Sequence, residues 1–107
     1  MQQRRVSFTL GVVYDTPSET LKKIPLLIQK IVDETEDATF SRAHFANFGS
    51  YSLNFEVVYF VLGGDYDHYM DINQRINLAI KDGFEQLGVS FALPMSMVQV
   101  VGVQPNE

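Results

Sequence analysis

The sequence predicts an α+β fold, a ferredoxin-like βαββαβ sandwich with an extra C-terminal strand. Three observations predict it. Apolar residues alternate at period two along Val6 to Val12 and again along Leu53 to Val61, which marks strands with one buried face. Apolar residues recur at helical spacing over Leu21 to Val32 and over Tyr69 to Leu87. The order strand, helix, strand, strand, helix, strand then repeats a strand–helix–strand half, which folds as an antiparallel sheet with both helices on one face.

In the first strand Val6, Phe8, Leu10, Val12 and Tyr14 alternate with Ser7, Thr9, Gly11 and Val13. Asp15-Thr16-Pro17-Ser18-Glu19 opens the first helix, with Thr16 as cap, Pro17 at the first helical position and Glu19 completing a capping box. Leu21, Ile24, Ile28 and Ile31 form its apolar stripe, which Leu27 and Val32 widen. Pro25 lies inside this pattern, removes one backbone donor, and is expected to kink the helix or split it. Such a break is either a hinge or a bend that fits the helix to a twisted sheet. Glu34 to Asp37 is an acidic exit loop.

The run from Phe40 to Val61 supplies the second and third strands, joined at Gly49-Ser50. Leu53, Phe55, Val57, Tyr59 and Val61 share one face of the third strand, and Ser52, Asn54 and Glu56 the other. In the second strand neither the Arg42, His44, Ala46 face nor the Ala43, Phe45, Asn47 face is clearly apolar. Such a strand is an edge or is covered by another subunit. Gly63-Gly64-Asp65 is a turn. A second helix follows from Tyr66 to Leu87, with Tyr69, Ile72, Ile76, Ala79, Ile80, Phe84 and Leu87 inward, Asp71 and Arg75 four apart, and Gly88 as a left-handed cap. Val89 to Leu93 reads as a fourth strand ended by Pro94, and Met97 to Val103 as a further extended segment. Residues 1–94 thus form the ferredoxin-like domain and 95–107 a C-terminal strand and tail.

Composition narrows the function classes. A chain of 107 residues is one domain, long enough to bury a core of its own. It has no cysteine, so disulfides and thiolate metal sites are excluded. Its formal charge of −5 repels phosphate backbones and anionic lipid. No apolar run approaches the ~20 residues that span a bilayer, and no signal-peptide pattern opens the chain. Strand-like sequence begins at Arg5 with almost no lead-in, as in a domain excised from a longer chain or in a small compact protein.

Candidate chemistry is sparse. The two histidines, His44 and His68, have no second histidine four residues on. His68 with Asp65, Asp67 and Asp71 could hold a hard cation, but acids at a helix start also favour its dipole. Asp15 and Glu19 are explained by turn and cap. Ser41 and Ser52 lack a G-x-S-x-G elbow, and Gly63-Gly64 opens no phosphate-binding loop. No catalytic, cofactor or metal residue is assigned. RNA-recognition modules share this topology and stack bases on strand aromatics. Phe8, Phe55, Tyr59 and Phe60 lie on strands here, but the basic rim is missing, and the regular alternation explains Phe8, Phe55 and Tyr59 as core. Met97-Val98-Gln99-Val100-Val101-Gly102-Val103 is apolar at nearly every position. An uncovered strand of this kind either folds back on its own sheet or pairs with the same strand of other subunits.

Three stretches stand out together: RRVSFTLGVVYDTPSETLKKIP at Arg4 to Pro25, FSRAHFANFGSYSLNFEVVYFV at Phe40 to Val61 and DYDHYMDINQRINLAIKDGFEQLGVSFALP at Asp65 to Pro94. In their order and spacing the chain resembles the C-terminal cytoplasmic domain of the small-conductance mechanosensitive channel (MscS) family. The resemblance implies a homo-oligomeric channel, typically a heptamer, in the cell (inner) membrane. Such a channel opens under bilayer tension and releases ions and small solutes on hypo-osmotic shock. Domains of this kind form a hollow vestibule on the cytoplasmic side, whose portals filter solutes. The resemblance further implies an intersubunit β-barrel strand at Met95 to Val101, with Met95, Met97, Val98, Gln99, Val100 and Val101 at the oligomer interface. It implies no enzymatic activity, no cofactor, no nucleic acid and no tight small-molecule ligand. Pore-lining and tension-sensing helices are absent from this chain. The alternative is a free-standing ligand-binding or regulatory ferredoxin-like domain.

Overall fold

The structure is a computed structural model that describes residues 2–92. Three strands and two helices follow in the order β1 (Gln3–Val12), α1 (Ser18–Asp33), β2 (Ala38–Phe48), β3 (Leu53–Leu62) and α2 (Tyr66–Leu87). β3 is central, with β1 and β2 antiparallel on either side. β1 pairs with β3 without interruption, from Gln3 opposite Leu62 to Val12 opposite Leu53. β2 pairs less regularly, with register shifts between Phe40 and Arg42 and between Phe45 and Asn47.

The fourth strand expected at Val89 to Leu93 is much reduced. Val13 N–H donates to the Ser90 carbonyl at 3.1 Å, Ala92 N–H donates to the Gly11 carbonyl at 2.9 Å, and Val12 lies opposite Phe91 as an isolated bridge. Pairing cannot begin earlier, because Val89 N–H is spent on the Phe84 carbonyl at the end of α2, at 2.8 Å. The spatial order is nevertheless residues 90–92, β1, β3, β2, all antiparallel, which is the ferredoxin-like arrangement. The extra segment expected at Met97 to Val103 lies outside the described residues.

Both helices cover one face of the sheet. Ile24, Ile28 and Val32 of α1 and Ile72, Ile76, Ile80 and Phe84 of α2 are buried against Val6, Val12, Phe55, Val57, Tyr59 and Val61. These are the stripes and alternating faces that the sequence predicts, except that Tyr14 lies beyond β1 and is exposed, and Val58, on the other face of β3, is buried as well. The two helices approach closely at Gly83, where an added Cβ would lie 2.8 Å from a methyl carbon of Leu27. Gly88 ends α2 at φ +76°, the left-handed conformation for which glycine is suited. Asp65 caps its start, accepting the Asp67 N–H at 3.3 Å. The ion pair recorded within α2 joins Lys81 and Glu85, at 2.7 Å, rather than Asp71 and Arg75.

Two local expectations are corrected. Thr16 does not cap α1; its hydroxyl turns back to the Val13 carbonyl at 2.7 Å, Pro17 takes the cap position, and no side chain caps the helix. A local turn bond competes with the cap, a common fate of threonine. Pro25 does not split α1, which runs unbroken from Ser18 to Asp33. The packing of Ile24 and Ile28 on the sheet outweighs the one backbone bond that Pro25 cannot donate to Leu21.

Tyr59 is the one phenol in the core, and its hydroxyl donates to Asn73 Oδ1 at 2.6 Å. Burial first, then the nearby Tyr69, pushes its pKa up to about 12. Above pH 10 the unfolded chain releases this proton while the folded chain keeps it. Stability therefore falls as pH rises from 10 toward 12. Tyr59→Phe is expected to cost about 1 kcal/mol at pH 7 by loss of the hydrogen bond. It should also flatten the alkaline limb of the stability curve, which urea melts at pH 8 to 11 would read out.

Candidate assembly surface

The residues that the family resemblance implies for an oligomer interface, Met95, Met97, Val98, Gln99, Val100 and Val101, lie outside the described residues. The structure shows where the chain heads toward them. Ala92 runs along β1 beside Gly11, on the side of the sheet opposite β2. Among the described residues β2 is an edge strand, one of the two options open from sequence. Its edge is blunted by the two register shifts, and Arg42 lies 3.8 Å from Glu56 of β3. Irregular, charged edges of this kind resist edge-to-edge pairing.

Sequence reasoning missed what gathers beside this edge. Phe48 is 72% exposed, Tyr51 53%, Tyr14 49% and Phe45 39%. They converge at the β2–β3 hairpin, because the end of β1, the end of β2 and the start of β3 meet at one end of the sheet. Phe45 packs edge-on to Phe48 with ring centroids 5.2 Å apart and stacks on the buried Phe55 at 5.4 Å. A polar scaffold holds the hairpin. Ser52 Oγ donates to Asn54 Oδ1 at 2.6 Å, and Asn54 Nδ2 donates to Asn47 Oδ1 at 2.9 Å. Gly49 N–H donates to the Ser52 carbonyl at 2.7 Å, and the Tyr14 hydroxyl donates to the Gly49 carbonyl. The visible signal was the density of aromatics around Gly49-Ser50.

Between this cluster and α1 lies an open groove of about 290 Å³, lined by Ser18, Leu21, Lys22, Pro25, Phe45 and Phe55. Its walls are almost wholly apolar, with Ser18 and Lys22 as the polar residues. The Lys22 amine lies 3.6 Å from the Glu19 carboxylate. Clustered exposed aromatics are typical of contact surfaces.

The remaining candidates resolve into structural roles. Phe55 and Tyr59 are fully buried, and Phe8 meets Tyr59 edge-on at 6.3 Å, so these aromatics build the core rather than a stacking platform. His44 is exposed on the edge strand. His68 does not gather Asp65, Asp67 and Asp71; its Nε2 lies 3.0 Å from Asp37 Oδ2. Among the described residues no group of three or more histidines or acids is placed to hold a metal ion. No helix among them is long and apolar enough to cross a membrane.

Comparison with known proteins gives the family. Residues 6–91 match the family described as "Mechanosensitive ion channel MscS, C-terminal". The small-conductance mechanosensitive channel MscMJ of Methanocaldococcus jannaschii is 42% identical over 94 residues, which cover 86% of this chain and 27% of that protein. The chain spans about a quarter of the length of the curated relatives it matches. Among solved structures, a variant of Arabidopsis thaliana MSL1 superposes with a TM-score of 0.76 at 10% identity, covering 88% of this chain and 36% of that one. The closed-state MscS of Helicobacter pylori does so with a TM-score of 0.52 at 24% identity, covering 77% and 33%. At such identities the superpositions speak for the fold, whereas the sequence match extends over both helices and all three strands. The chain therefore belongs to the MscS family of mechanosensitive ion channels, as the C-terminal domain of that family.

Proposed function

We propose that this chain is the cytoplasmic vestibule domain of a mechanosensitive channel that releases ions and small solutes on hypo-osmotic stress. The observation that carries the reading is the family match over residues 6–91, on a chain about a quarter the length of its relatives. The domain contributes assembly and solute filtering, and the pore is supplied by other parts of the parent protein in the cell membrane. It performs no catalysis. Its partners are further copies of itself, a heptamer in the full-length channel. Met95 to Val101 furnish a strand to an intersubunit β-barrel, and residues 95–107 act as an assembly tail on the 1–94 domain. The exposed aromatic hairpin at Phe45, Phe48 and Tyr51 supports a role in contacts rather than in chemistry.

The test is an immunoblot of native cells with an antibody raised to this domain, after membrane and soluble fractions are separated. A membrane band well above the 12.1 kDa of this chain is the expected result. A soluble band at that mass would overturn the channel reading in favour of a free-standing ligand-binding or regulatory domain.

A further inference from the structure

We infer that residues Ser90 to Ala92 form a detachable strap, which opens from β1 as a unit while the rest of the domain stays folded. The inference rests on the channel reading only for its purpose, which is to let the end of the domain open without unfolding the rest.

The attachment is uneven along the chain. β1 is held to β3 by ten consecutive register pairs. On its other side, among the described residues, it is held to the strap by two backbone hydrogen bonds, Val13 N–H to Ser90 O and Ala92 N–H to Gly11 O. Among the described residues the strap's aromatic contact is Phe91, which stacks on Phe84 with centroids 4.9 Å apart and planes 17° apart. That ring is still 39% exposed, so much of it is already in water. The strap begins just past a fixed point. Gly88 is left-handed with open space around its Cα, and Val89 is buried and tied back to Phe84, so movement beyond Val89 does not disturb α2. Opening bares the Val13 N–H and the Gly11 carbonyl on the β1 edge and uncovers one face of Phe84. Segments with few buried contacts and few hydrogen bonds open locally at free energies well below that of global unfolding. The strap has both properties, and β1 has neither.

Amide hydrogen exchange of this chain, followed residue by residue by NMR under native conditions, tests the inference. The amides of Val13 and Ala92 are expected to exchange at least about a hundredfold faster than those of Val57 and Tyr59 in β3. Phe91→Ala should speed exchange at Val13 and Ala92 by about tenfold and leave β3 unchanged, and Phe91→Tyr, which keeps the stacked ring, should restore the original rates. Equal protection at all four amides would overturn the strap. So would a uniform rise across the sheet in Phe91→Ala, since it would show that Phe91 belongs to the global core. Neither result depends on whether the parent is a channel, which the fractionation experiment decides separately.

Discussion

Phe84→Ala is expected to destabilise the domain by about 3–5 kcal/mol, the largest effect of any single truncation considered. Phe84 is fully buried on α2, at the level where both helices pack on the sheet, and it stacks on Phe91. Removing its ring deletes apolar contacts and leaves a cavity beside Phe91 in the core that Val12 also helps to form. The cost is a large share of the ~5–15 kcal/mol that stabilises a typical domain. In thermal unfolding it should lower the midpoint by roughly 12–20 °C, at about 4 °C per kcal/mol for a chain of this size. Phe84→Leu should cost about 1–1.5 kcal/mol, because it preserves most of the volume. A Phe84→Ala loss no larger than that of Phe84→Leu would mean that the strap collapses into the cavity, and that the site is not rigidly packed.

The same residue shows how much of the fold is legible in the sequence. Phe84 falls on the helical stripe that begins at Tyr69, so its burial follows from spacing alone. Ile24, Ile28, Ile72 and Ile76 are placed in the same way, as are the alternating faces of β1 and β3 and the left-handed cap at Gly88. Periodicity reports which side of an element is dry, and these residues obey it. The misses lie where two elements compete for one group. Thr16 has the chemistry of a cap, but the nearby Val13 carbonyl takes its hydroxyl. Val89 has the composition of a strand, but the end of α2 takes its N–H. Pro25 carries the mark of a helix breaker, and the buried isoleucines around it hold the helix together.

The contact surface was only half legible. The weak alternation of β2 leaves two options, an edge or a strand covered by another subunit, and among the described residues β2 is an edge. That Phe45, Phe48, Tyr51 and Tyr14 would share one end of the sheet depends on the register of three strands, which no single segment encodes. Phe45 reaches the α1 side because it lies opposite Phe55, and that pairing follows a register shift. Such irregularities are tertiary outcomes, and the linear pattern of apolar residues does not count them.

Asp37 carries the second large expected effect, and here the sequence shows only an acidic loop. It is the one non-glycine residue among those described with a left-handed backbone, at φ +65°. Its carbonyl accepts the Leu62 N–H at 2.9 Å, and its carboxylate meets His68 at 3.0 Å. One residue thus ties the α1–β2 turn to the end of β3 and to the first turn of α2. Aspartate tolerates this conformation better than most residues, whereas a β-branched side chain does not. Asp37→Val is therefore expected to cost about 2–3 kcal/mol, most of it backbone strain. The ion pair adds little, because both side chains are about two-fifths exposed and water screens them. Asp37→Asn should stay within about 0.5 kcal/mol of the parent, since asparagine accepts the same backbone and can still meet His68. Asp37→Gly separates the two contributions in urea melts, because it relieves φ but removes the carboxylate. A glycine variant close to the parent with a valine variant far below it assigns the cost to strain. Equal losses in both would assign it to the His68 contact, and would make that link between β2 and α2 stronger than its exposure implies.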